Sequence, residues 1–478
     1  MNLPPPGIPF YPLANPRGTD YSCEVCGKPA LLQCSLCRVT YYCGVEHQKI
    51  DWVGIHEKIC NSLISLRKPI PFIASEDERR KLKDELQNKN LTPIYSCCSL
   101  SPIKINMVGL TQLIGQKLLF QGKPEEAVPA ALQCLKFTAD AYGLASVELV
   151  SPYLILAESS IGLNRLCQAE TYLAQAQWTM LKTQHECSNA IRSQLHRKLG
   201  LLYAAKGDYP AALESLAKDV FYASCEFGTD HIRTAGGYFQ MAEVFHAMHK
   251  KEEESCNETS SKRQNESIGL TGPSATPKIP GFTKSLTTMS GSKCSLSTQP
   301  CQQMVLGEQM MIQPPGDKIP VADSLYSRVV DIWAAYLGDI VRSLMYKPIV
   351  PEGIGAVVAE ITQENKRTMD EAQKAEAEKM LYAIERYRHD RLVARASEAF
   401  THGLGEPDPK VRLMLALSML NFVLERRGKA SQYLAEAKVA SGFCTPHPQL
   451  TAEIELMTNA LEEPTTACKG ITTATKIT

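Results

Sequence analysis

No stretch of this chain approaches the run of about 18 apolar residues that a membrane span requires. Its opening, "MNLPPPGIPFYPLANPRG", has no basic segment followed by an apolar one, so no secretory signal is expected there. An excess of charge of one sign is missing too. Lys+Arg and Asp+Glu each number 51, and a chain without net charge has no global field drawing it to nucleic acid or an acidic membrane. Neither the glycine loop that cradles phosphate nor the H-E-x-x-H helix of zinc hydrolases occurs. These absences predict a soluble, cytoplasmic protein with no nucleic-acid partner, no membrane partner and no catalytic constellation. In a reducing compartment its 17 cysteines are not expected to form a disulfide framework.

What the chain does have is a dense cluster of metal-ligand side chains near its start. Cys23, Cys26, Cys34, Cys37, Cys43, His47, His56 and Cys60 fall into four pairs. Two pairs are C-x2-C, a spacing that lets a tight turn place both thiolates on one tetrahedral ion. The other two have x3 spacing, which on a helix puts both side chains on one face, one turn apart. Eight such ligands suit two Zn2+ ions with no coordination position left for water, which makes the sites structural. Spacing alone leaves open which pairs share an ion. A segment of about 40 residues cannot bury enough apolar surface to fold without a staple, so zinc is expected to supply its folding energy. Cys134, Cys167, Cys187 and Cys225 are read as small buried hydrophobes.

The pattern C-x2-C-x7-C-x2-C-x5-C-x3-H-x8-H-x3-C, with "YYC" and "HQKIDW" inside it, resembles the MYND zinc finger over residues 23 to 60. The resemblance implies an interleaved cross-brace. Cys23, Cys26, Cys43 and His47 would then hold one zinc, and Cys34, Cys37, His56 and Cys60 the other. His47 departs from the family, many of whose members carry Cys there. MYND fingers bind short proline-rich peptides, and the resemblance places those contacts at Gln48 and Trp52. For Trp52, packing against the zinc scaffold is the competing expectation. The leader, residues 1–20, is itself proline-rich and is expected to be disordered or polyproline II. Its "LPPPGIP" is also of the kind such a groove takes, so occupation in cis is a second reading.

The finger is assigned residues 21–62 of a chain whose length suggests about three domains or a repeat array. Residues 63–107 read as a linker with a charged helix, in which Ser75 and Glu78 form a capping-box pattern. A repeat then begins. Ala127, Ala169 and Ala212 are spaced 42 and 43 apart, each preceded twelve positions earlier by a small residue, Gly115, Ala157 or Gly200. Paired amphipathic helices at such a period mean a stacked solenoid. With Tyr203, Gly207 and Leu216, the pattern resembles the tetratricopeptide repeat (TPR).

The expected fold is therefore mainly α: a small two-zinc cross-brace finger followed by a TPR-type α-solenoid. TPR-like repeats are assigned to 108–250 and 321–442. A disordered insertion at 251–320 separates the first helix of the fourth unit from its second, whose register alanine is Ala322. A fifth unit is expected at "DEAQKAEAEKMLYAIERY", and a capping helix and polar tail at 443–478.

The order of finger, charged linker and TPR array, with "DWVGIHEKIC" and "ADSLYSRVVDIW", resembles MYND proteins of cilia and sperm flagella. That resemblance implies a non-enzymatic scaffold of the axoneme that assembles with other TPR proteins and with Pro-rich or helical peptides. The alternatives are a MYND-containing lysine methyltransferase and a transcriptional co-regulator that binds Pro-rich peptides. Against the first, only 22 residues precede Cys23, too few for the strand-rich cofactor site of such enzymes.

Overall fold

The computed structural model describes residues 4–10, 21–67, 93–183, 185–266, 318–345, 369–395, 409–442 and 447–462. The finger is built from short pieces. Three two-residue strands, β1 (Ile8–Pro9), β2 (Leu32–Gln33) and β3 (Tyr41–Tyr42), form an antiparallel sheet in that order. Helix α1 (Val45–Asp51), a π-helical turn (Trp52–His56) and α2 (Glu57–Leu66) follow as one continuous helical run.

Beyond the finger, helices pack in antiparallel neighbours. Helix α3 (Pro93–Phe120) packs on α4 (Pro124–Tyr142), α5 (Val150–Gly162) on α6 (Leu166–Lys182), and α7 (Asn189–Lys206) on α8 (Tyr209–Phe227). Helix α9 (Ile232–Glu266) pairs with α10 (Lys318–Met345), and α12 (Pro409–Val423) with α13 (Arg427–Ser441). Successive pairs touch, as α4 does α5 and α8 does α9, so the pairs stack as a solenoid.

Local chemistry explains where these helices begin and end. Ser188 accepts from the Ile191 N–H at the start of α7, and Asp208 accepts from the Ala211 N–H at the start of α8. Each side chain satisfies a donor that the first helical turn leaves open. The register alanines explain the stacking. Ala127, Ala169, Ala212 and Ala322 are all fully buried, and a Cβ on Gly200 would come within 2.6 Å of Leu216. Larger side chains would hold the paired helices apart.

Several expectations need correction. Helix α9 continues past position 250 to Glu266, so the boundary set there falls inside a helix; 267–317 lie outside the described residues. Helix α3 starts at Pro93, before the boundary set at 108, while Ser75, Glu78 and the rest of the charged linker lie outside the described residues. Within the leader, residues 4–10 are not disordered, because β1 pairs with the finger. Cys134 is buried as expected, but Cys167 and Cys225 are exposed and Cys187 is half-buried. These three lie on the polar side of their helices or in a turn, where the cysteine count alone says nothing about burial.

Helix α11 (Glu371–Arg395) is not a fifth stacked unit. Helix α10 packs directly against α12, while α11 lies against α3, α12 and α10. The amphipathic period that marked it as a helix does not say which helices it meets. Helix α14 (Pro448–Glu462) packs on α13, α12 and α10 at the end of the stack, and the tail 463–478 lies outside the described residues.

The finger shares its core with the first helix pair. Trp52, Ile55, Ile59 and Leu63 are buried in one cluster with Ile114, Leu118, Ala127 and Ala130. Contact is close enough that a Cβ on Gly54 would meet the Glu126 carbonyl oxygen at 2.4 Å. Gly54→Ala is expected to destabilise the finger–solenoid unit by about 1–3 kcal/mol, the usual cost of forcing packed elements apart. Denaturant unfolding checks the shift, and zinc content should be unchanged.

Candidate functional site

The eight ligand side chains come together as two sets. Ligand atoms of Cys23, Cys26, Cys43 and His47 lie within 4.8 Å of one another, and so do those of Cys34, Cys37, His56 and Cys60. Each set joins a C-x2-C turn to an x3 pair, Cys43 just ahead of α1 with His47 in it, and His56 with Cys60 in the helical run, so the chain interleaves. In the first set His47 turns Nδ1 inward, 3.4 Å from Cys23 Sγ and 3.2 Å from Cys43 Sγ. In the second, His56 turns Nε2 inward, 3.6 Å from Cys37 Sγ. A tetrahedron with metal bonds of about 2.0–2.3 Å has edges of roughly 3.3–3.8 Å, so the spacings fit zinc. Two Cys3His sets suit two structural Zn2+ ions with every tetrahedral position filled by protein.

Electrostatics favour a cation in both. Burial and the neighbouring thiols push Cys43 up to about 11. Burial and the Cys37 thiolate do the same to Cys60, also to about 11. At neutral pH these thiols lose their protons when a cation compensates the charge, and that coupling turns metal affinity into folding energy. The second set is entirely buried, whereas Cys26 of the first is exposed.

One residue of the second site was missed in the sequence. Asp51 is buried, accepts a 2.6 Å hydrogen bond from the Tyr42 hydroxyl and lies 3.7 Å from His56 Nδ1. With Nε2 turned to the ligand set, Nδ1–H faces Asp51. This carboxylate–histidine–metal arrangement fixes the ring and raises its basicity. Asp51 Oδ1 has no hydrogen-bond partner among the described residues. An i,i+5 spacing does not bring two side chains together on an α-helix; the π-helical turn at Trp52–His56 does so here, and the sequence carried no signal for it.

The tentative peptide contacts separate. Gln48 is buried, and its Nε2 donates 2.9 Å to the Pro5 carbonyl of the leader. The leader then pairs with the finger's edge: Ile8 stands opposite Gln33, Pro9 opposite Leu32, and the Phe10 N–H donates 2.7 Å to the Leu31 carbonyl. The Phe10 ring meets Tyr21 and Tyr41 edge-on. Trp52 instead belongs to the core shared with α3 and α4, as the packing expectation had it.

Glu24, between the first two ligands, ties the finger to α4. It pairs with Arg67 and Lys136, each at 2.6 Å. Burial raises its carboxyl, but Arg67 and Lys136 outweigh that and hold it below the usual range.

A comparison with protein families matches residues 23–60 to the MYND finger. Over 55 residues the chain is 46% identical to human Egl nine homolog 1, covering 11% of this chain and 12% of that protein. It is 37% identical over 93 residues to mouse programmed cell death protein 2, covering 19% and 26%. It is 25% identical over 130 residues to the histone-lysine N-methyltransferase ASHR1 of Arabidopsis thaliana, covering 26% and 27%. The chain thus spans about a quarter or less of the length of these relatives. The finger is a MYND zinc-binding domain, a type of module that engages other proteins.

Asp51→Asn is expected to weaken zinc at the second site by about 10–100-fold, the usual effect of losing such a partner. Chelator competition on the full chain should release metal in two phases. The exposed first site is expected to empty first, and the substitution should accelerate only the second phase.

Proposed function

We propose that this chain is a non-enzymatic adaptor whose finger takes proline-rich strands and whose solenoid, of TPR type, takes helices. One observation carries the reading. Gln48 and the β2 edge already hold a strand containing Pro5 and Pro9, through the backbone contacts that an external peptide would use. Prolines 4, 5, 6 and 9 lack an N–H, so such a strand makes few ladder bonds and depends on donors supplied by the finger. The leader is therefore a resident occupant that an external peptide must displace.

By resemblance we place the adaptor in the cytoplasm, on the axoneme of cilia and sperm flagella, with other TPR proteins as partners. A second reading, a MYND-containing lysine methyltransferase, is favoured by the similarity to ASHR1. Co-purification with TPR proteins from ciliated cells supports the first, and saturable S-adenosylmethionine binding by the purified chain supports the second.

Deleting residues 1–10 is expected to raise the affinity for a labelled peptide of sequence LPPPGIPF at least about tenfold, since binding no longer competes with the leader. Adding Gln48→Ala should then lower it by about 3–10-fold, the worth of one hydrogen bond. Fluorescence anisotropy reads both. Equal affinity with and without the leader contradicts occupation in cis.

A further inference from the structure

The stack has a feature its repeat pattern does not require. Helix α11 runs along one face of the stack from the first helix pair to the last. At one end Glu371 pairs with Lys117 of α3 at 2.8 Å, and Lys379 sits over the Phe120 ring. At the other, the Asn421 side-chain amide of α12 donates 3.0 Å to the Tyr382 hydroxyl, the Tyr433 hydroxyl donates 3.2 Å to Glu385, and Arg426 pairs with Glu378. Between them the Trp333 N–H of α10 points at Met380 sulfur. Tyr387 packs on His246 and Tyr326 and donates 2.9 Å to Asp323. From Glu371 to Arg391, only Glu371, Arg386, His389 and Asp390 are exposed. A helix covered on nearly every side by the wall of a solenoid is placed where such folds take their ligands.

The seat divides into two halves. The apolar half, Met380, Leu381, Ile384 and Tyr387, joins the core of the last helix pairs. The other half faces α3, α5 and α7 across a cavity of about 260 Å3, lined by Gln116, Glu158, Ser193, Arg197, Lys198, Ala372 and Glu376 among others. Arg197 binds Asp219 at 2.7 Å and Lys198 binds Glu158 at 2.5 Å. Burial consequently holds the Glu376 carboxyl above its usual range despite those two cations. This half, incompletely filled and polar, holds α11 less firmly than the apolar half does.

Chain connectivity allows release. Positions 346–370 and 396–408, 25 and 13 residues long, reach at most about 90 Å and 47 Å when extended. Because α10 packs directly on α12, the stack closes without α11.

We propose that the solenoid channel is a helix-binding site, that α11 is its resident ligand, and that the occupant it accepts in exchange is a helix of a partner protein. That helix repeats the pattern of α11: small residues at the spacing of 372, 375 and 377, acids at 376 and 378, and apolar residues at 380, 381, 384 and 387. The wall selects for it by charge, because Arg197 and Lys198 line the same cavity as Glu376 and Arg426 pairs with Glu378. The inference deepens the adaptor reading for the solenoid alone and does not depend on the finger's peptide edge.

The test uses the full chain and a labelled peptide of residues 369–395. In Ala377→Arg/Leu381→Asp, which puts charge at two fully buried positions of α11, the peptide is expected to bind at least about tenfold tighter than in the wild type. Helix content should be nearly unchanged. Equal or absent binding to a folded variant overturns the proposal. Hydrogen exchange on the wild type decides the matter even if the variant fails to fold. Amides of α11 exchanging ahead of α10 and α12, and faster with excess peptide, support it; exchange of all three together overturns it. A concentration-dependent dimer exchanging α11 overturns the partner assignment, since the occupant would be a second copy of the chain.

Discussion

Two zinc-binding tetrahedra in a segment without a core of its own are the constraint on which the rest of this structure depends. The three strands of the finger are two residues each, far too short to stand alone. What fixes their register is the interleaving of four ligand pairs, which ties the sheet to the helical run at both ends. Once the run is fixed, its apolar face, Trp52, Ile55, Ile59 and Leu63, has one place to go, the first helix pair. Metal binding, finger folding and docking onto the solenoid are therefore parts of one process. Glu24 lies at their junction, next to a ligand and paired across the interface.

The solenoid is governed by a different rule, the exclusion of bulk where helices cross. Fully buried alanines in successive second helices, and Gly200 facing Leu216, set how closely the pairs approach. Across the stacked pairs lies another helix of the same chain, α11, which meets α3, α10 and α12. Both surfaces proposed here to take partners, the finger's edge strand and the solenoid channel, carry a segment of the same chain. On that proposal a common logic follows: each resident segment sets the threshold that an external ligand must exceed.

How much of this could be read beforehand depended on whether the signal was local. The eight ligands were legible because x2 and x3 spacings have a direct geometric meaning. Gly115, Gly200 and the register alanines were legible because a repeat shows small positions at a fixed period. Asp51 was not, since a carboxylate supporting a ligand looks like any acid on a helix until His56 Nδ1 is seen to face it. Residues 371–395 have helical spacing, and nothing in that spacing separates a stacked unit from a helix laid across the stack. Leader residues 4–10 were ambiguous for a related reason: proline-rich sequence favours extension whether or not an edge strand is there to receive it. Gln48 and Trp52, four apart, were paired by resemblance, yet one meets the leader and the other the core.

The central claim is that both metal positions are closed by protein and hold the finger on the solenoid. Zinc-edge X-ray absorption on the full chain, with metal quantified per chain, tests it most directly. The account predicts two zinc ions per chain, each with three sulfur ligands and one imidazole nitrogen and no oxygen ligand. One ion per chain, or an oxygen ligand from an exchangeable water, would contradict it.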